Sequence, residues 1–303
     1  MPIKIQRPGQ SETSIMFFTY LYDNNLISYT QYIEHMRRFI TWLFFSSGMY
    51  NKQFDITYVA DGSYEKGMPK SNLCSSKIDE ILNSNFFQDW VNSYRKSLTN
   101  SHHIEFMHKS FVLNKYSKYI PDFVSSFNIQ KCNYGIDFKL FWTKALHHLN
   151  ALIANKRVLL VSCFADIIKQ HHDNGRLYKF NPRIAKIKEI IPYNCPYSFL
   201  NDGPHENYNE TLQHAFDNIE SLSFDIALIS YGVYAAVLAD HIYRTYNTTA
   251  IAYGGMLPSK FGVLSPGSNP HRISQIPDCY IYNKARAIED GRYWYQQTNW
   301  MKK

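Results

Sequence analysis

The sequence predicts an α/β fold, a mainly parallel sheet flanked by helices, with a more helical N-terminal portion. Three observations carry this. Strand-like apolar runs alternate with helical stripes through the second half of the chain, as crossover units of a parallel sheet require. Several of those runs end in small or polar residues, the punctuation of strand-to-helix turns. Of the 303 residues, 45% are hydrophobic and 19% charged, enough to build a large core and far from a disordered composition.

Taken in order, Ile33, Met36, Ile40, Leu43 and Phe44 fall at helical spacing and predict a helix over about 30–46. The run 54–60 reads as a short strand that stops at Asp61-Gly62. A helix follows around Ile78, Ile81, Leu82 and Trp90, and the stretch 95–135 shows no clear period. From residue 137 the pattern sharpens: Phe138, Phe141, Ala145, Leu149 and Leu152 form a helical stripe, and 157–162 reads as a buried strand. Another strand is expected at 189–192, and Leu212, Phe216, Ile219 and Leu222 mark a helix that starts near Asn209. The run 224–230 is the clearest strand, followed by Tyr231-Gly232 and a helix over 233–246. The strand 249–253 ends at Gly254-Gly255. No repeat or linker divides the chain, so one domain is expected over 1–303, with 1–135 more helical and 136–303 a Rossmann-like sheet.

The formal net charge is +7 and is spread along the chain, the terminal Lys302-Lys303 aside. That balance suits anionic ligands such as nucleotide diphosphates or lipid pyrophosphates and argues against a nucleic-acid groove, which would cluster its cations. The 24 Tyr and 20 Phe offer rings for stacking on sugars or bases, although codon bias alone would produce the same enrichment. Five scattered cysteines with no C-x-x-C pair encode neither a disulfide framework nor a zinc site, and point to a reducing compartment. No charged-then-apolar leader pattern is present, and the most apolar run, 39–45, is too short for a bilayer that needs ~20 residues. The expectation is a cytoplasmic protein without a transmembrane segment, for which contact with a membrane surface remains open.

In a parallel sheet, ligands sit beyond the carboxyl ends of the strands. Four predicted strands end there in Asp61-Gly62, Ser162-Cys163, Ser230-Tyr231-Gly232 and Gly254-Gly255, which together could line one cleft. Gly232 would open a helix whose free N–H groups suit a diphosphate, and Gly254-Gly255 would admit a ligand close to the backbone. Each pair read alone is equally a turn signal. Asp61, with Glu65 four residues on, could hold a divalent cation or a ribose hydroxyl, or could cap its own turn. The adjacent pairs His102-His103, His147-His148 and His171-His172 diverge on a helix and build no metal site, and the G-x-S-x-G elbow of a serine hydrolase is missing. The same holds for the G-x-G-x-x-G of a dinucleotide fold, which weakens a nucleotide-cofactor enzyme as an alternative.

The runs 225–240 and 249–263, in that order and spacing, resemble bacterial polysaccharide-cluster proteins related to GT-D-fold glycosyltransferases. The terminal Glu289-Asp-Gly-Arg-Tyr-Trp294 resembles their Glu-x-Gly-x-Tyr-Trp motif, and 57–63 falls where they carry Arg-x-Gly-Asp-Gly-Glu. The resemblance implies transfer of a sugar from a nucleoside diphosphate sugar to a hydroxyl of a growing surface glycan, free or lipid-linked. It implies Asp61 in nucleotide-sugar binding, Gly232 at the diphosphate and Gly254-Gly255 lining the cleft, with Asp61, Glu289 and Asp290 as catalytic candidates; the strand-end residues Gly62, Ser63, Ser162, Ser230 and Tyr231 complete the expected nucleotide-sugar site. It also implies a cation, Mn or Mg, held by Asp61. Here the sequence departs from the family: Ser63 replaces the second acid, so a metal would need Glu65, and Pro258 stands where Gln is usual. The loss of that acid keeps a non-catalytic nucleotide-sugar or glycan-binding protein as the alternative.

Overall fold

The computed structural model describes residues 1–58, 64–65, 68–106, 115–134, 149–196, 198–255, 257–261 and 263. The chain opens with β1 (Lys4–Gln6), α1 (Gln10–Asp23) and α2 (Tyr29–Ser46), then a small hairpin of β2 (Tyr64–Glu65) and β3 (Met68–Pro69). Next come α3 (Ser75–Asn83), α4 (Asn85–Leu98), β4 (His103–Phe106), α5 (Ile120–Ser125) and β5 (Cys132–Tyr134). The second half runs β6 (Arg157–Ser162), α6 (Ala165–Asp173), α7 (Arg176–Phe180), β7 (Glu189–Asn194), α8 (Tyr208–Glu220), β8 (Ile226–Ser230), α9 (Ala235–Tyr246), β9 (Thr249–Ala252) and α10 (Leu257–Lys260).

Seven strands form one sheet in the order β5-β4-β1-β9-β8-β6-β7, and every pairing in it is parallel. The predicted α/β class is therefore the observed one. Alternate residues of the central strands feed two cores, one on each face of the sheet. Leu159, Val161, Ala227, Ile229, Ala250 and Ala252 face the core shared with α1, α2, α4, α8 and α9. Val158, Leu160, Ile226, Leu228 and Ile251 face the smaller core under α6, α7 and α10. Burial on both faces explains why these strands read as continuous apolar runs. Pro192 sits in β7, an edge strand, where a missing N–H leaves no ladder bond unmade.

Among the described residues helices form where predicted, with adjustments at their ends; Phe138, Phe141 and Ala145 of the expected stripe lie outside the described residues. Ser28 caps α2 through a full capping box with Gln31. The helix expected near residues 78–90 is two helices, because Ser84 ends α3 in extended backbone and caps α4. The cap of α8 is Asn207, whose side chain accepts from the N–H groups of Asn209 and Glu210, so the helix begins earlier than the sequence pattern places it.

Two parts differ more. The strand expected over 54–60 is not formed in its described part: Lys52–Phe54 is a 3-10 turn, Asp55 is left-handed at φ 45°, and only Tyr58 makes a bridge, to Ser71. Phe54 instead turns in to pack its ring on Phe44 and Phe86. The stretch 95–135, without period in the sequence, contributes β4 and β5 to the main sheet. No described helix is long and apolar enough to cross a membrane.

Candidate functional site

The carboxyl ends of the seven strands lie along one edge, and the chain leaves that edge in two directions. After β6 it enters α6, whose Ile168 lies in the smaller core, while after β8 it enters α9, whose Leu238 and Ala239 lie in the larger one. β6 and β8 are neighbours, with Ser162 opposite Ser230, and their continuations diverge, which makes this a switch point in strand order, where open α/β sheets form their ligand crevices. A second divergence separates β1 from β9. The chain after β1 enters α1, with Ile15 and Met16 in the larger core, whereas the chain after β9 places Leu257 and Phe261 in the smaller one.

At this second divergence stands Arg7, directly after β1. Its Nη1 donates to the carbonyl of Tyr253 at 2.6 Å, tying the tip of β1 to the tip of β9. A Cβ on Gly254 would lie 2.6 Å from that same Nη1, and Gly254 has φ +77°, so both contact and backbone demand glycine here. Gly255, beside it, is exposed. Two residues past Arg7, exposed Gly9 caps α1 with no side-chain hydrogen bond. The first N–H groups of a helix lack intrahelical partners and carry the positive end of its dipole. Glu12 folds back beneath Gly9, where a Cβ would come within 2.3 Å of Oε2. Glu12 is 3% exposed, and burial pushes its carboxyl up to about 7, against the pull of its own backbone N–H.

The other predicted edge residues lie at the β6–β8 switch point. Ser162 is fully buried and its Oγ accepts from the Phe164 N–H at 3.2 Å. Ser230 is half-buried, and Tyr231 is buried and stacked on Tyr234 with ring centroids 4.3 Å apart. Gly232 is exposed at φ +49°, and its glycine identity answers to another neighbour: a Cβ there would meet the Ser47 carbonyl at 2.2 Å. That carbonyl, at the end of α2, accepts from the Val233 N–H at 2.7 Å, and the Tyr234 N–H is bonded to Tyr231. The N–H groups that the sequence pattern offers to a diphosphate at Gly232 are thus engaged at Val233 and Tyr234. Gly232→Ala is expected to lower stability by at least about 2 kcal/mol, left-handed strain adding to a collision with rigid backbone. Urea unfolding measures it, and an unchanged midpoint would refute this account of Gly232.

Residues 114–259 match the family model of the GT-D fold-like domain. That stretch of the chain is similar to a GT-D fold-like domain. No curated protein and no solved structure matches the chain. The GT-D fold-like segment takes in β5 to β9, and with them Ser162, Ser230, Tyr231, Gly232, Gly254 and Gly255. Arg7, Gly9 and Glu12 lie outside it, just after β1, the strand that completes the centre of its sheet.

Asp61, Gly62 and Ser63, the segment likened to the acidic motif of GT-D-fold enzymes, lie outside the described residues, as do Glu289 and Asp290. The chain nevertheless leads toward the edge just before Asp61. Tyr58 packs its ring on Phe45 at 5.1 Å, two residues before the Ser47 that touches Gly232. Glu65 lies in β2, whose partner is β3, so its strand belongs to the separate hairpin. Among the described residues no group of three His, Cys, Asp or Glu could hold a metal ion. The described histidines are structural where their partners are known: His102 Nδ1 accepts from the Lys4 N–H, and His172 bonds Asp173 and the Ile187 carbonyl.

Arg7 and Glu12 escape sequence reasoning because β1 is three residues long and turns lysine and glutamine inward. The available signal was Pro8-Gly9, a turn, followed by Ile15, Phe18 and Leu21 at three-residue spacing.

Proposed function

We propose that this chain is a glycosyltransferase whose donor is a nucleoside diphosphate sugar and whose acceptor is a hydroxyl of a growing surface glycan, free or lipid-linked. The observation that carries the reading is Arg7, fixed across the tips of β1 and β9 beside the exposed, glycine-capped start of α1 and against Gly254. Sugar transfer separates a diphosphate from the anomeric carbon, and the barrier falls when fixed positive charge meets the departing oxygens. A guanidinium offers its N–H donors in a fork matched to phosphate, and a helix N-terminus adds N–H groups and dipole. Glycine at 254 lets that charge approach the backbone edge that a ligand would cover. The GT-D fold-like domain supports the same class of chemistry.

Asp61, Glu289 and Asp290 are the proposed candidates for acid–base work on the acceptor, and Asp61 with Glu65 for a cation, Mn or Mg. Ser230 lies at the neighbouring switch point in this reading, with Ser162 and Tyr231 buried behind it. Calorimetry with UDP, GDP and dTDP, each with and without Mn²⁺, tests it. Binding is expected for at least one nucleotide, and Arg7→Gln should weaken it about 10- to 100-fold, the loss of one or two charge-assisted contacts. Absence of binding in every arm, or full affinity in Arg7→Gln, would remove the proposed diphosphate site. Binding with no transfer to any acceptor would favour the non-catalytic nucleotide-sugar protein that Ser63 suggests.

A further inference from the structure

Two buried phenols at the β6–β8 switch point lack partners among the described residues. Tyr193 is the penultimate residue of β7 and is 9% exposed; Tyr231 directly follows β8 and is 6% exposed. Both side chains enter the larger core, on the same face of the sheet and on either side of β6. Among the described residues, neither hydroxyl has a hydrogen-bond partner. Buried hydroxyls are almost always satisfied, because one removed from water without a replacement bond raises the free energy of the fold. Two such groups at one switch point mark a place where a polar partner arrives from outside the described residues.

The surroundings say what kind of partner. The groups that act on Tyr231 electrostatically are Cys195, Tyr234, Tyr193 and Tyr50, and on Tyr193 it is Cys195 alone. None is a cation or a carboxylate. Burial holds Tyr193 up to about 12 and Tyr231 well above the usual phenol range, so both stay neutral and donate. A charged phosphate would find no cation among these groups, and the amide and carboxylate at this strand end, Asn194 and Asp166, are bonded to each other. A flat, neutral ring with carbonyl or ring-nitrogen acceptors fits. It would also meet the planar stack of Tyr231 on Tyr234 and Tyr234 on Tyr208. β6, between the two tyrosines, lies two strands from β9, a distance of roughly 10 Å at sheet spacing. A ribose can bridge that distance between a diphosphate near Arg7 and a base.

We propose that Tyr193 and Tyr231 donate hydrogen bonds to the nucleobase of a bound nucleoside diphosphate and thereby set which base is accepted. This rests on the nucleotide-sugar reading above. Tyr193→Phe and Tyr231→Phe delete one hydroxyl each and keep the ring, and calorimetry with two probes separates the two ideas. The probes are the tightest binder among UDP, GDP, dTDP and ADP, and inorganic pyrophosphate. Each Phe variant is expected to bind the nucleotide about tenfold more weakly, to bind pyrophosphate as wild type does, and to melt no lower than wild type. Unchanged nucleotide affinity, equal losses for both probes, or a lowered melting temperature would overturn the inference, the last because it would reveal an internal partner. Wild-type protein that binds pyrophosphate as tightly as every nucleotide overturns the base readout but spares the diphosphate site. Wild-type protein that binds none of them overturns both.

Discussion

Lys4→Met is expected to destabilise the protein by about 3–5 kcal/mol, the range for removing one partner of a buried ion pair. Lys4 is 1% exposed, and its Nζ donates to Asp240 Oδ1 at 2.5 Å and to the carbonyls of Ser97 and Thr99 at 2.9 and 2.8 Å. Three acceptors lose their donor at once, at a site where the Lys4 side chain is 1% exposed and that of Asp240 12%. Arg244 still holds the other Asp240 oxygen at 2.8 Å, which favours the lower end of the range. Desolvation draws the Lys4 ammonium below its usual range while Asp240 holds it up, so the charge depends on its partner. Denaturant unfolding of Lys4→Met, Asp240→Asn and the double variant measures the coupling. Additive losses would mean that the pair contributes nothing as a pair. The bond matters to the edge of the sheet as well, because Lys4 and Gln6 fasten β1 to the end of α4 and to α9. Gln6 Nε2 donates to the Ala236 carbonyl at 3.0 Å.

Glu12→Gln is expected to act in the opposite direction and only at higher pH. Burial raises the proton affinity of the folded-state carboxyl to about 7, against 4.5 for an ordinary glutamate. Its support for the fold is therefore complete below about pH 4.5, declines as pH rises, and is lost above about 7. At 1.36 kcal/mol per unit, the loss amounts to about 3 kcal/mol. Glutamine keeps the shape of the protonated acid and cannot ionise. The variant should match wild type near pH 5 and exceed it by up to about 3 kcal/mol near pH 8.5, measured by urea unfolding at both values. Equal stability at pH 8.5 would show that Glu12 does not titrate in this window. The groups that feel its charge are Tyr94 on α4 and Tyr208 on α8, both buried, and neither can neutralise it.

The second half of the sheet was legible because its strands bury both faces. Val158 to Val161 and Ile226 to Ile229 are apolar at every position, and the intervening helices carry their stripes at the expected spacing. The edge residues of those strands, Ser162, Ser230, Tyr231, Gly232, Gly254 and Gly255, followed directly, since a parallel sheet fixes where its carboxyl ends lie. The chemical reasons for them did not. Gly254 is glycine because Arg7 lies over it, and Gly232 because the end of α2 does. Each reason is a contact between segments far apart in the chain.

By itself, then, the amino-acid pattern determined the α/β class, the four strands β6 to β9 and the edge on which a ligand would sit. Only the tertiary structure decided that a polar tripeptide, Lys4–Gln6, fills the middle of the sheet and that Phe54 turns inward from a 3-10 turn where a strand was expected. Periodicity reports which face of an element is buried, and it is blind to what covers that face. Lys4 reads as a surface residue until Asp240, 236 positions later, is brought to its ammonium. Buried polar residues owe their place to partners, and partners are chosen by the packing of the whole chain.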